Sequence, residues 1–87
     1  MTSYKLLQIK YTWDPLMQWV SCTDPGELDA MEKWITKAEK ERVHKLELKI
    51  RGAGLWWIIK WVCKNEWEPF HHYSNKYLFR KRYIPGG

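Results

Sequence analysis

The sequence predicts an α+β fold: a mostly antiparallel sheet of four to five strands with one α-helix packed on one face. Three observations carry that expectation. Period-two alternation recurs in several short stretches, one well-capped helical stripe begins at Asp24, and residues 55–63 form an apolar run broken only by Lys60. At 87 residues the chain is sized for a single domain, residues 1–87. That is near the lower end of what one hydrophobic core holds together. Its 7 Trp, 5 Tyr and 2 Phe partly offset the short length, since each ring buries a large area.

Taken in order, residues 4–13 alternate Leu7, Ile9, Tyr11 and Trp13 with Gln8, Lys10 and Thr12, the mark of a half-buried strand. Asp14-Pro15 signals a turn, and residues 16–22 read as a second strand. Asp24-Pro25-Gly26-Glu27 then sets an acid at the N-cap, Pro at the first helical position and Glu three residues after the cap. Leu28, Met31, Ile35 and Ala38 follow at helical spacing, so a helix is expected over about residues 25–43.

Beyond residue 43 the period changes to two. Leu46, Leu48 and Ile50 alternate with charged residues, Gly52-Ala53-Gly54 supplies a turn, and residues 55–63 return as a central strand, giving a hairpin. In that strand Leu55, Trp57, Ile59 and Trp61 would meet the helix stripe. Residues 65–76 lack periodicity and contain Pro69, which reads as a long loop of the kind that carries function. Residues 77–84 form a last strand, and residues 84–87 are expected to fray. The resulting order is β-β-α-β-β-β.

The net charge of +5 is unevenly placed. Residues 1–43 hold six Lys/Arg against seven Asp/Glu, and residues 44–87 hold nine against three. A basic C-terminal half raises the expectation of an anionic partner. No stretch is long and apolar enough for a membrane span, and Met-Thr-Ser-Tyr-Lys has no signal core. A cytoplasmic, intracellular protein with reduced, buried thiols at Cys22 and Cys63 is the matching expectation, with no membrane partner and no cofactor.

Four constellations bear on function. The first is the aromatic and basic mixture of Lys76, Tyr77, Arg80, Lys81 and Arg82, joined by Trp56, Lys60 and Lys64 if they share a sheet face. Cations neutralise phosphates and rings stack on bases, so this set suits nucleic acid or a nucleoprotein complex. Rings in the core and cations in solvent would explain the same composition.

The second is Trp67, Phe70, His71, His72 and Tyr73 on the 65–76 loop, which have the character of protein-interface anchors. Folding of Trp67 and Phe70 over the end of the sheet is the competing account. Third, Cys63, His71 and His72 lack the paired spacings of a zinc site, so no metal is expected. Fourth, His71 and His72 are the residues that general acid–base chemistry would draw on. In topology the small basic fold resembles the RelE-like ribonuclease toxins, a likeness that implies RNA cleavage, although none of their motifs is present.

The sequence therefore favours a non-catalytic basic binding protein that contacts nucleic acid or a nucleoprotein through its C-terminal half. A stoichiometric protein inhibitor or adaptor, of the type used by viral and phage accessory proteins, stands second. A homodimer is compatible with either.

Overall fold

Leu7 and Ile9 are buried while Leu6 and Lys10 are exposed, so the alternation read over residues 4–13 is realised, as far as Tyr11, as a strand with one covered face. A computed structural model describes residues 3–11, 17–35, 39–51 and 54–83. Among them lie β1 (Ser3–Tyr11), β2 (Met17–Cys22), α1 (Pro25–Trp34), β3 (Lys40–His44), β4 (Glu47–Arg51), α2 (Gly54–Lys64), β5 (Glu68–Tyr73) and β6 (Lys76–Tyr83). The six strands make one sheet in the order β3-β4-β2-β1-β6-β5, with every neighbouring pair antiparallel. The α+β class with an antiparallel sheet holds, with one more helix and more strands than the sequence suggests. The Asp14-Pro15 turn, Trp13, Ala38, Gly52-Ala53, the Leu55 side chain and residues 84–87 lie outside what is described.

Both helices cover one face. Leu7 and Ile9 of β1, Val20 and Cys22 of β2, and Leu48 and Ile50 of β4 meet Leu28, Met31 and Ile35 from the α1 segment. Ile58, Trp61 and Val62 of α2 join the same core. Trp34 and Trp57 pack the two helices edge to face at 5.9 Å between ring centres. Each such aliphatic side chain removed from water contributes about 1.5–3 kcal/mol before chain entropy is charged against it.

The expected central strand at 55–63 is instead α2. A continuous apolar run satisfies period two and helical spacing equally, and length then decides, since an 11-residue element exceeds an ordinary strand. The buried positions, Ile58, Trp61 and Val62, stand at helical offsets, and Ile59 faces outward. Its supposed hairpin partner at 46–50 pairs with β2 and β3.

The helix expected over 25–43 ends at Trp34, where Ile35 leaves helical geometry and its N–H closes on the Met31 carbonyl. Lys40–His44 has helical composition yet forms the outer strand β3, where long charged side chains protect a sheet edge. The 65–76 loop is also corrected. It folds as β5, the opposite edge strand, with Pro69 tolerated there and a bulge between Pro69 and His71. Asp24 caps α1 as read, its Oδ1 accepting the Gly26 N–H at 2.9 Å.

Candidate nucleic-acid interface

Opposite residues of an antiparallel pair share a face, so the register fixes what the helix-free side of the sheet displays. One row crosses all six strands: Glu41 (β3), Lys49 (β4), Trp19 (β2), Lys10 (β1), Lys76 (β6) and Tyr73 (β5). With strands about 4.8 Å apart, it runs roughly 24 Å. Lys49 Nζ lies 5.7 Å from the Trp19 ring centre, and Lys76 Nζ lies 5.4 Å from that of Tyr73.

The next row along the strands is His44, Glu47, Ser21, Gln8, Leu78 and His71. Beyond it Leu6 stands opposite Arg80, and Arg80 opposite Glu68, while Tyr4 faces Arg82. The Arg80 guanidinium sits 5.0 Å from the Tyr4 ring centre and 5.6 Å from that of Phe70, between two exposed rings. Glu68 hydrogen-bonds to Arg80 at 3.4 Å and raises its pKa. Among the described residues Lys10, Lys76 and Arg82 make no ion pair, so this part of the face carries uncompensated positive charge.

Two shallow depressions mark the same face and share Gln8, Ser21 and Glu47. One, of about 230 Å³, opens toward Trp19 and Lys10. The other, of about 480 Å³, is lined by Leu6, Leu46 and Leu78 together with Thr23 and His44.

Of the residues singled out from the sequence, Lys76, Arg80 and Arg82 come together here with Phe70, His71 and Tyr73. His71 packs 5.2 Å from Tyr73. The others lie elsewhere. Tyr77 and Lys81 alternate onto the helix side of β6, where His72 stacks on Tyr77 at 4.3 Å. Lys81 reaches Glu27 at 3.5 Å and the Trp67 ring at 5.7 Å.

Trp67 is only 6% exposed and belongs to the core, so it is no surface anchor. It is held there by the turn that ends α2. Trp56 and Lys60 lie on the outer side of α2, Lys60 Nζ 5.1 Å from the Trp56 ring centre, and Lys64 lies over Trp34 at 4.6 Å. Because that segment is a helix, these three do not share a sheet face with β6. Cys22 is buried, and burial raises its thiol pKa, but Cys63 is exposed rather than buried.

Lys49 and Glu47 complete the face from the charged outer side that the 46–50 alternation predicts, and Tyr4, Leu6, Gln8, Lys10, Trp19 and Ser21 join them without having been expected at a site. For Gln8 and Lys10 the signal was present, as the polar side of a clear alternation. For Trp19 it was masked, because no pattern in residues 16–22 tells which side meets the helices.

Among the described residues no three His, Cys, Asp or Glu side chains gather as a metal site, and no helix is long and apolar enough to cross a membrane. No protein-family model, curated protein or solved structure matches the chain.

Proposed function

We propose that this protein binds single-stranded nucleic acid, free or within a nucleoprotein, across the helix-free face of its sheet and without catalysis. The row Lys49–Trp19–Lys10–Lys76–Tyr73 carries this reading. It interleaves three ammonium groups with two rings, which matches a ligand that alternates phosphate and base. Ammonium groups gain affinity by releasing counterions from phosphates, and a ring stacks on any base. Arg80, with the exposed rings of Tyr4 and Phe70 beside it, adds a further cation and further flat surface for a base. Single strands are favoured over duplex, since only unpaired bases offer their faces to such rings.

Fluorescence anisotropy with labelled single-stranded DNA and RNA tests the reading. Binding should weaken with salt along a slope of about −0.7 per phosphate contacted, and Lys10→Ala with Lys76→Ala should flatten that slope by one to two. Absence of binding at low salt to every oligonucleotide tried would overturn it.

A second reading, a stoichiometric protein inhibitor or adaptor, draws on α2. Trp56 is 60% exposed and Ile59 is 42% exposed, side by side with Lys60 on its outer surface. Such a stripe suits an interface. It predicts that Trp56→Ala abolishes capture of a protein partner and leaves oligonucleotide binding intact.

A further inference from the structure

We infer that the depression beside Trp19 is a base subsite selective for guanine. The inference rests on the nucleic-acid reading above and specifies which base that face prefers.

The starting point is an acid in the wrong place. Glu47 stands on β4, one strand in from the sheet edge, on a face whose other rows are rich in cations, opposite Ser21 on β2 and His44 on β3. Among the described residues its carboxylate makes no ion pair or side-chain hydrogen bond. Beside a polyanion an unpaired carboxylate costs affinity, because it repels phosphate and loses water when covered. It becomes favourable only if the ligand brings hydrogen-bond donors to it.

The surroundings define those donors. The depression of about 230 Å³ is lined by Trp19, Lys10, Gln8, Ser21, Glu47 and Val20. It is smaller than the roughly 300–1,000 Å³ of sites for drug-sized molecules, which suits one planar ring system. Trp19 offers a stacking surface and Lys10 an ammonium for the adjoining phosphate. An ionised carboxylate is acceptor-only, with two oxygens side by side.

Among the common bases, guanine alone presents two neighbouring donors, N1–H and N2–H₂, on its Watson–Crick edge. Cytosine, adenine and uracil or thymine each present one donor group there. The Gln8 amide and the Ser21 hydroxyl, one row from Trp19, are donors for the guanine acceptors O6 and N7. A base stacked beside Trp19 with its edge toward Glu47 thus finds its donors and acceptors answered only if it is guanine.

The test uses the whole protein and eight-nucleotide single strands, RNA and DNA, carrying one central guanine, adenine or cytosine in an otherwise pyrimidine background of uridine or thymidine. The guanine strand should bind about tenfold more tightly than the other two. Glu47→Gln should erase that preference, since an amide cannot accept both donors at once, and should raise affinity for the background strand by removing a negative charge. Circular dichroism of the variant checks that the fold is kept. Binding of all strands with equal affinity would overturn the guanine subsite and leave the nucleic-acid reading standing. Preference for guanine that survives Glu47→Gln would overturn the assigned role of Glu47. Failure to bind any strand would overturn both readings together.

Discussion

The Lys5 ammonium on β1 lies 2.8 Å from the carboxylate of Asp24, the residue that caps α1. The same ammonium is 3.1 Å from Glu27 in the first turn, and Lys81 on β6 reaches Glu27 at 3.5 Å. The positive end of the helix is thus screened by its own acids, and those acids are tied to two neighbouring strands of the sheet. Hydrogen bonds to Asp24 and then Glu27 push the Lys5 pKa up to about 12. The Lys5 ammonium and the Gly26 N–H in turn hold Asp24 below its ordinary value.

Acid stability should depend on this joint. Asp24 is depressed in the folded state, so the unfolded chain takes up its proton first as pH falls. The stabilisation is present above the usual 3.8 and is lost as pH drops through the folded value. For Lys5, raised in the folded state, the contribution is complete below 10.5 and lost as pH rises through about 12. Asp24→Asn keeps a capping side chain but loses the charge. Urea unfolding should find it less stable than the parent at pH 7, with the difference shrinking as pH falls below 3.8, whereas Asp24→Ala should cost about 1 kcal/mol more at pH 7.

Trp67 should behave as a core residue. Its ring packs 6.1 Å from Trp61, and its Nε1–H has no hydrogen-bond partner among the described residues. Trp67→Ala should cost roughly 3–5 kcal/mol of unfolding free energy, while Trp67→Phe, which removes the unanswered donor, should cost far less. Phe70, exposed on the open face, should give less than about 1 kcal/mol when replaced by Ala. Chemical denaturation of the three variants side by side checks the contrast.

What the sequence made legible follows from where burial is one-sided. β1 has a wet face and a dry one, so Leu7 and Ile9 separate cleanly from Gln8 and Lys10. The cap at Asp24 is legible because its chemistry is local. α2 was not, because Leu-Trp-Trp-Ile-Ile is apolar on every side and carries no period of its own. β5 was not, because a sheet edge asks little of its residues and the bulge after Pro69 breaks any alternation. The open face could not be assembled beforehand, since it joins Trp19, Lys49 and Lys76 through a strand order that only the tertiary structure supplies.

The turn after α2 contains a removable strain. Glu66 adopts φ 60, the left-handed region that disfavours side chains. The conformation is imposed by the helix end, where the Trp67 N–H returns to the Val62 carbonyl at 3.3 Å and the Asn65 N–H to that of Trp61 at 3.0 Å. Glu66→Gly should therefore relieve about 1–2 kcal/mol of backbone strain, only partly offset by the roughly 0.4–1 kcal/mol of entropy that glycine adds to the unfolded chain, and so stabilise the fold on balance. Thermal melts of the two proteins at equal concentration read the sign directly; a lower melting temperature for the variant would contradict it.

Arg80 and Glu68 form a pair whose disruption should act on binding rather than on the fold. Their contact at 3.4 Å is exposed, so solvent and salt screen it, and its loss should leave unfolding nearly unchanged. In the free protein Glu68 occupies one side of a guanidinium that also lies between Tyr4 and Phe70. A nucleic-acid strand competes with that carboxylate for the same cation. Glu68→Gln removes the competitor and should tighten single-strand binding several-fold at low salt, with the gain shrinking as salt rises. Arg80→Ala should weaken binding several-fold by deleting both the charge and the stacked plane. Arg80→Lys should recover the charge dependence but not the loss of stacking, because an ammonium has no flat face to offer a base. Salt titrations of the three variants separate these effects. Equal affinities for Arg80→Lys and the parent protein would show that stacking at Arg80 contributes nothing.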